Sequence, residues 1–494
     1  MIAANLPALQ VVVPLISAPL CALMPRGSVA WAFATAAIWV AAGIALALLV
    51  RVLETGTISY AMGGWAAPWG IEYRIDRLNA LVLVIVTGIG AVVAPAALKS
   101  AGREIAHDRQ VLFYTAFLLA FTGLIGIVIT GDAFNLYVFL EITSLASYTL
   151  VAMGGDRRAL VAALRYLILG TIGATFILIG IGLLYMMTGT LNMADLAARL
   201  DGVRDMRTVE AAFAFIVVGA GLKLALFPLH AWLPDAYTRA PSVVSAFLAA
   251  TGTKVGVYVL VRFVFTIFGP AYAFDTLPLG AVLMPFALAA IFVGSLVAIF
   301  QSEIKRLLAY SSVAQIGYMA LGLAFASETG VLATVVHLFN HALMKGAAFL
   351  ALAGVAYRVG ATDMVAIRGL GKRMPLTMAA FTVAGLGLVG VPLTAGFVTK
   401  WYLVGAALEA DLWPVAVAIL ISSLLALAYV WRVVEAAYFR EPADDAAVAH
   451  GEALALILVP TLALAGASVY FGIDASFPVG LARSIAAALL GTGP

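Results

Sequence analysis

Charge is scarce in this sequence. Only 11% of its 494 residues are Asp, Glu, Lys or Arg and 64% are hydrophobic, whereas soluble globular domains are about a quarter charged. A soluble chain of this size could not hide so much apolar surface, so lipid is the expected solvent. The net charge is only +3, and no basic run is long or clustered. Nucleic acid is therefore not an expected partner. Cysteine is nearly absent: Cys21 alone excludes an internal disulfide and any cysteine-based metal cage. Histidine is scarce too, and of the five only His337 and His341 lie close enough to share a site. The apolar N-terminus lacks a basic n-region and a small-residue cleavage site, so it reads as a first membrane span and not as a removable signal peptide.

A spanning helix needs about 20 predominantly apolar residues. That rule gives spans near 4–24, 29–50, 78–98, 111–130, 133–153, 160–187, 209–235, 241–265, 280–300, 304–325, 329–357, 375–408, 412–437 and 453–472. The expected fold is an all-α polytopic membrane protein of about fourteen transmembrane helices. The longest polar gaps, 51–77 and 188–208, are too short for a soluble domain. The tail after residue 473 reads as an interfacial helix or a loop.

Lysine and arginine concentrate in alternate loops. Lys99, Arg103 and Arg109 follow the third span, Arg157 and Arg158 the fifth, and Lys305 and Arg306 the ninth. Arg358, Arg368, Lys372 and Arg373 follow the eleventh, and Arg432 and Arg440 the thirteenth. The positive-inside rule puts these loops in the cytoplasm, and both termini on the outer (periplasmic) face of a cell inner membrane. The gaps 51–77 and 188–208 run against this bias, although acids accompany their arginines.

Two spans are long and interrupted. One is 209–235, at Pro228 and Pro234; the other is 375–408, around Gly390, Pro392 and Gly396. They are the seventh and twelfth spans. Interrupted helices at matching positions of two halves point to inverted repeats around a central transport site. The expected layout is helices 1–3 in 1–110, a first five-helix repeat (helices 4–8) in 111–265, a second, inverted one (helices 9–13) in 280–437, and helix 14 with the tail in 453–494. An odd number of spans per unit is what inverts the second copy.

Ionisable groups inside a span cost about 2.5–3.5 kcal/mol at a helix centre and are functional by default. Here they are Glu141, Lys223, Lys254, His337, His341, Lys345 and Lys400, each near the middle of its segment or beside a helix break. His337, His341 and Lys345 are spaced i, i+4, i+8, which puts them along one helix face. Imidazole passes a proton from one ring nitrogen to the other, so such a face suits a water-linked relay. The spacing would also suit a two-histidine metal site, but no carboxylate or cysteine is near on that helix, so no metal is expected. The mid-membrane lysines outnumber the one acid, Glu141. A low-dielectric core does not hold so many unpaired cations, so some of these lysines should be neutral near neutral pH. That is the behaviour of a proton carrier; a sodium site wants several oxygen ligands. A protonated Lys223 held by Glu141 would form a switch.

Blander readings stand beside this one. Lysines near helix ends snorkel to the interface, as Lys99 and Lys305 would, and Arg165 similarly. One buried Glu–Lys pair could simply fix packing. Ser144, Ser147, Thr251 and Thr253 read as helix–helix hydrogen bonds. Asp132 and Asp235 sit at span ends or breaks, where water can reach them.

The stretch GLKLALFPLHAWLPDAYTRAPSVVSAFLAATGTKVGVYVLVR, from Gly221 to Arg262, resembles the signature of the antiporter-like membrane subunits shared by respiratory complex I, membrane-bound hydrogenases and Mrp-type cation/proton antiporters. FLE at 139–141, IKRLLAYSSVAQIGYM at 304–319, HLFNHALMKGAAFL at 337–350 and GVPLTAGFVTKWYL at 390–403 are similar too. The likeness covers nearly the whole chain and is strongest from about 111 to 430. It implies that Glu141 is the family's fifth-helix glutamate, Lys223 the lysine of the broken seventh helix and Lys254 the connecting lysine of the eighth. His337 and His341 match the polar axis of helix eleven, and Lys400 the terminal residue of the broken twelfth, where some members carry glutamate. The lateral C-terminal helix arm of the largest members is not expected. Length, Lys400 and FNLYVFLEITSLASY are most similar to the D subunits of Mrp antiporters.

The resemblance implies a proton-translocating subunit that works inside a multi-subunit complex, with sodium or potassium moving through another subunit. No quinone, nucleotide or iron–sulfur motif appears, so no cofactor is expected and any redox chemistry would belong to other chains. The rival expectations are a proton-pumping subunit of complex I or a hydrogenase, and a purely structural membrane subunit.

Overall fold

The structure, a computed structural model, describes residues 3–442 and 451–492. It is built from helices: α1 (Leu6–Ala22), α2 (Gly27–Thr55), α3 (Arg77–Glu104), α4 (Gln110–Ile129), α5 (Ala133–Ala152), α6 (Arg158–Thr188), α7 (Met193–Leu200), α8 (Arg207–Leu224), α9 (Trp232–Arg239) and α10 (Ser242–Val261). There follow α11 (Leu279–Ile299), α12 (Ile304–Ala324), α13 (Glu328–Val359), α14 (Leu370–Arg373), α15 (Pro375–Val389), α16 (Ala395–Glu409), α17 (Trp413–Phe439), α18 (Ala455–Ile473) and α19 (Ser476–Leu490). Among the described residues, 11 helices are long and apolar enough to cross a membrane. The shorter α1 and the two broken pairs, α8/α9 and α15/α16, bring the spans to the fourteen expected.

Polar side chains mark where the helices begin. Asp76 and Asn79 form a reciprocal capping box on α3. Asp132 caps α5 by accepting a 2.7 Å hydrogen bond from the Asn135 N–H, and Ser327 caps α13. Inside the bundle, small residues let helices approach closely. On α8, a Cβ added at Gly219 would lie 2.6 Å from the Gly173 carbonyl oxygen of α6. Burial is graded: α10 and α12 are almost wholly enclosed, whereas α6, α11, α17 and α18 turn much of their apolar surface outward.

The neighbour pattern recurs between the two halves. In the first, α4 packs on α5, α5 on α6, α6 on both α8 and α9, and α10 on α4, α8 and α9. In the second, α11 packs on α12, α12 on α13, α13 on both α15 and α16, and α17 on α11, α15 and α16.

Loops meet according to parity, as simple alternation across a bilayer requires. On one face the gap 51–77 forms a β-hairpin, with β1 (Ile58–Ala61) antiparallel to β2 (Glu72–Ile75) and Ile58 opposite Ile75. This small sheet was not expected of an all-α chain. Tyr73 bridges to Thr130 and Asp132 to Asn192, so the loops after spans two, four and six are joined on this hairpin face. On the opposite face Glu303 bridges to Asp363, the Arg103 guanidinium donates to the Tyr357 carbonyl, and Arg239 pairs with Asp156 at 3.1 Å. The tail is resolved in favour of a helix: α19 buries Pro478, Leu481, Ala482, Ile485 and Ala486 on one stripe, against α13 and α3.

Candidate functional site

Both interrupted spans are confirmed, with the breaks refined. α8 stops at Ala225, which takes a left-handed conformation (φ 60°), and α9 begins at Trp232. Pro228 lies within the gap. Pro234 does not break anything: it sits in the first turn of α9, where a proline costs no hydrogen bond. The free end of α8 is bridged by Trp232, whose indole N–H donates to the Leu222 carbonyl at 2.9 Å. α15 ends at left-handed Gly390 (φ 83°) and α16 begins at Ala395. Gly396 is again a packing residue, because a Cβ there would collide with the Gly387 carbonyl.

Lys223 occupies the last turn of α8, where the helix dipole favours a cation. Its Nζ donates to Ser144 Oγ of α5 at 2.8 Å. Glu141 lies three residues before Ser144 on α5, half-buried, and its Oε1 has no hydrogen-bond partner. Among the described residues the two charges form no ion pair, so the direct Glu141–Lys223 contact anticipated from sequence is replaced by a serine-held lysine. A cavity of about 50 Å³ adjoins Lys223, lined also by Ser144, Ser147, Tyr166, Tyr237 and Gly252. It is roomy and polar enough for ordered water.

Lys254 of α10 is fully enclosed; its Nζ donates to the Ala249 carbonyl and, at 3.5 Å, to Thr253 Oγ1. On α13, His337 and His341 are 2% and 0% exposed. Their rings stack with centroids 5.4 Å apart and planes 5° apart. All four ring nitrogens lack a protein partner. One turn on, Lys345 Nζ donates to the Leu308 carbonyl at 2.7 Å and to Ser311 Oγ, both on α12.

Lys400 of α16 reaches back across the second break. Its Nζ donates to the Val389 carbonyl and to Ser423 Oγ, both at 2.7 Å, and lies 4.9 Å from the centre of the Tyr318 ring. Tyr318 in turn meets the His337 ring edge-on, with centroids 6.2 Å apart. The lysine stem passes directly over Gly390, where a Cβ would sit 2.6 Å from Lys400 Cδ.

Residues 130–426 match the family described as NADH:quinone oxidoreductase/Mrp antiporter, TM. This chain belongs to that family. It is 46% identical over 443 residues to a protein of Desulforudis audaxviator named as the N subunit of an NADH-quinone oxidoreductase, covering 88% of this chain and 87% of that protein. It is 29% identical over 470 residues to a protein of Bacillus subtilis named as the D subunit of a Na(+)/H(+) antiporter, covering 95% and 94%. A chain in the Mrp complex of Dietzia sp. DQ12-45-1b superposes with a TM-score of 0.90 at 25% identity, over 99% of this chain and 98% of that one. The chain is therefore an antiporter-like, multi-pass membrane subunit.

Within this antiporter-family fold, the seven candidate residues take different surroundings. The structure brings His337, His341, Tyr318 and Lys400 into one chain of contacts, and Lys345 continues the α13 face. Lys223 and Glu141 form a separate group beside the first break. Ser144, expected to make a helix–helix hydrogen bond, does so by holding Lys223 of α8; the hydroxyls of Ser311 and Ser423, which hold Lys345 and Lys400, were not singled out from sequence. Sequence reading also passed over Asn340, whose Nδ2 donates to the Ala395 carbonyl at 2.6 Å and to Thr399 Oγ1 at 3.2 Å, pinning α13 to the second break. A mid-membrane asparagine between two histidines was the available signal. Lys305 does not snorkel: it is 7% exposed and donates to the Ala240 carbonyl at 3.3 Å. Arg165 is exposed as expected, but it pairs with Asp235 at 2.6 Å, and Asp235 also binds Arg306 at 2.9 Å. Lys99 is exposed.

Proposed function

We propose that this subunit moves protons along Glu141, Lys223, Lys254, His337, His341, Lys345 and Lys400, as part of a multi-subunit monovalent cation/proton antiporter whose sodium or potassium crosses another subunit. One observation carries the reading: His337 and His341 are buried with no protein partner on any ring nitrogen. Buried polar groups are almost always hydrogen-bonded, and a bound water is the remaining partner. The rings lie face to face with centroids 5.4 Å apart and make no direct hydrogen bond to each other, so a bridging water is the link that completes the relay. The flanking lysines each rest on backbone carbonyl or hydroxyl acceptors, which hold either protonation state without a fixed counter-charge. Each elementary charge crossing 100 mV is worth about 2.3 kcal/mol, so proton influx can drive cation export. The chain acts here as a translocator and catalyses no covalent step.

The division into units 111–265 and 280–437 follows the recurring neighbour pattern, with α8/α9 and α15/α16 as equivalent broken spans. Placement in the inner membrane with both ends on the outer face rests on the arginine and lysine bias of the loops on the face opposite the hairpin. The terminal residues 1–2 and 493–494 lie outside the described residues. Tags at each end, probed in intact cells, test this.

The test of conduction is Lys223→Ala and Lys400→Ala, separately, in the assembled complex reconstituted into liposomes. Cation-driven proton flux should be lost in each. Persistence of flux in both leaves only a structural role. A second reading, a redox-driven pump subunit of the complex I type, is favoured by the 46% identity to a protein named for that complex. The composition of the complex purified with this chain decides between them: small antiporter subunits support the first, quinone-reductase subunits the second.

A further inference from the structure

Two cavities open on the hairpin face, and they differ in the chemistry at their floors. The larger, about 530 Å³, is lined by Arg74, Asp76, Arg77, Asn79 and Arg262 among others. Its floor is an occupied ion pair: Arg262, 5% exposed, binds Asp76 at 2.5 Å, and donates to Asn79 Oδ1 and to Tyr258 Oη at 3.2 Å. Burial raises the Asp76 carboxyl pKa, but the Arg262 guanidinium and the helix-capping N–H groups outweigh it and hold it below the ordinary carboxylate value. A fixed guanidinium at a constriction repels protons. Lys254 and Tyr258 share one face of α10 and Arg262 follows directly after its end, so the way in from this vestibule is capped by the Arg262–Asp76 pair.

The second cavity, about 430 Å³, lies under the hairpin tip and is lined by Trp69, Asp132, Phe134, Asn135, Val138 and Arg199 among others. Its one carboxylate is Asp132, only 9% exposed and forming no ion pair among the described residues. The neighbouring charges are already engaged. Glu72 accepts from Ser59 at 2.6 Å and from Asn192 at 2.8 Å and lies 3.7 Å from Arg74. Asp195 pairs with Arg199 at 2.9 Å. Tyr185 is the phenol in the cavity wall; Tyr73, bridged to Thr130, and Tyr137 on α5 are the other phenols nearby. Phe134 and Glu141 are seven residues apart, on one face of α5, with Val138 between them. Both Phe134 and Val138 are part of the cavity wall, so the wall leads down α5 toward Glu141, whose buried Oε1 has no hydrogen-bond partner.

We propose that Asp132 is the proton port on the hairpin face, collecting protons in this vestibule and passing them by water along α5 to Glu141. The inference rests on the relay proposed above and adds its mouth and its side. Asp132 spans no more than the cap of α5, just outside the membrane segment, and burial pushes its carboxyl above the ordinary value even though backbone N–H bonds pull the other way. It is thus the better proton-holding carboxylate of the two, whereas Asp76 is locked as an anion by arginine. The distance from Asp132 to Glu141 along the helix is about 13 Å, a span for a file of several waters.

The experiment uses the reconstituted complex, with flux recorded while pH is varied on one face at a time. Asparagine is as good a helix cap as aspartate, so Asp132→Asn keeps α5 capped and removes only the titrating group. Flux at a given hairpin-face pH should fall about tenfold, the lower end of what a focusing cleft gives an on-rate, with its half-maximum moved to more acid pH. The response to pH on the other face should not change, and Asp132→Glu should restore the hairpin-face response. Cys21 is buried, so Val138→Cys provides an exposed thiol for a membrane-impermeant methanethiosulfonate, which should react from the hairpin face and block flux. An unchanged hairpin-face titration in Asp132→Asn overturns the port, as does a shift seen instead in Asp76→Asn, or failure of Val138→Cys to react from that face. If Lys400→Ala abolishes flux while Asp132→Asn is silent, the port alone fails; if Lys400→Ala retains flux, the relay itself fails.

Discussion

Replacing Gly390 by alanine tests whether the second helix break exists to position Lys400. The residue is left-handed (φ 83°), which costs an L-residue about 1–2 kcal/mol. The new Cβ would lie 2.6 Å from Lys400 Cδ, and contact between carbons is comfortable only at about 3.5–4.0 Å. The stem must therefore shift by about 1 Å. Its Nζ is tethered by two 2.7 Å hydrogen bonds, to Val389 O and Ser423 Oγ, and the same shift would stretch either beyond hydrogen-bonding range. A hydrogen bond to a charged group is worth about 1.5–3 kcal/mol, so loss of one brings the total to about 2.5–5 kcal/mol. The assay pairs thermal unfolding of the purified complex with proton flux in liposomes. Gly182→Ala on α6 is the control, because a Cβ there meets nothing within 4 Å. Gly390→Ala should lower both stability and flux, and Gly182→Ala neither. Wild-type flux and melting in Gly390→Ala would refute the claim that this turn sets the lysine's position.

The two ion-pair groups at the membrane faces should respond differently. The Arg262 side chain is 6% and the Asp76 side chain 32% exposed, so Arg262→Gln should destabilise by about 3 kcal/mol, the low end for breaking a buried pair, read as a lower melting temperature. Asp235 pairs with side chains that are 62% and 33% exposed; Asp235→Asn should cost no more than about 1 kcal/mol per pair, and less in high salt. Tyr318→Phe keeps the ring beside Lys400 and should preserve flux, losing only the 2.6 Å hydrogen bond with Ser422. Tyr318→Leu removes a cation–π contact worth about 0.5–2 kcal/mol and should reduce flux severalfold. Equal effects of the two Tyr318 variants would mean that the ring is not what matters.

The spans were legible because lipid demands long apolar runs, and the seven mid-membrane ionisable residues because each interrupts such a run. The broken helices were legible through Pro228 and Gly390. What the sequence could not rank was Pro234 against Pro228, since a proline opening a helix and one ending it look alike without the backbone. The hairpin at 58–75 was missed because its strands are four residues each, too short to show a period in the sequence. Lys305 was misread because its burial depends on the turn at Ala240, sixty-five residues away. The partner of Lys223 was likewise a matter of helix rotation: Glu141 and Ser144 are one turn apart on α5, and only packing decides which one meets the lysine.

α13 has 32 residues, giving a rod about 48 Å long, well beyond a hydrocarbon core of about 30 Å. Its first turn packs at Gly330 against Gly322 of α12 on the hairpin side. Its last turn is clamped on the other side, where Arg358 donates to the Glu452 carbonyl at 2.7 Å and Tyr357 accepts from Arg103. The helix that carries His337, His341 and Lys345 is therefore a lever with a handle in each aqueous compartment. A tilt of about 5° around its midpoint moves each end by about 2 Å, in opposite directions. The stacked imidazoles, close to that midpoint, move by less than about 1 Å in the same tilt, so the two faces can be coupled through a helix whose relay section stays nearly in place.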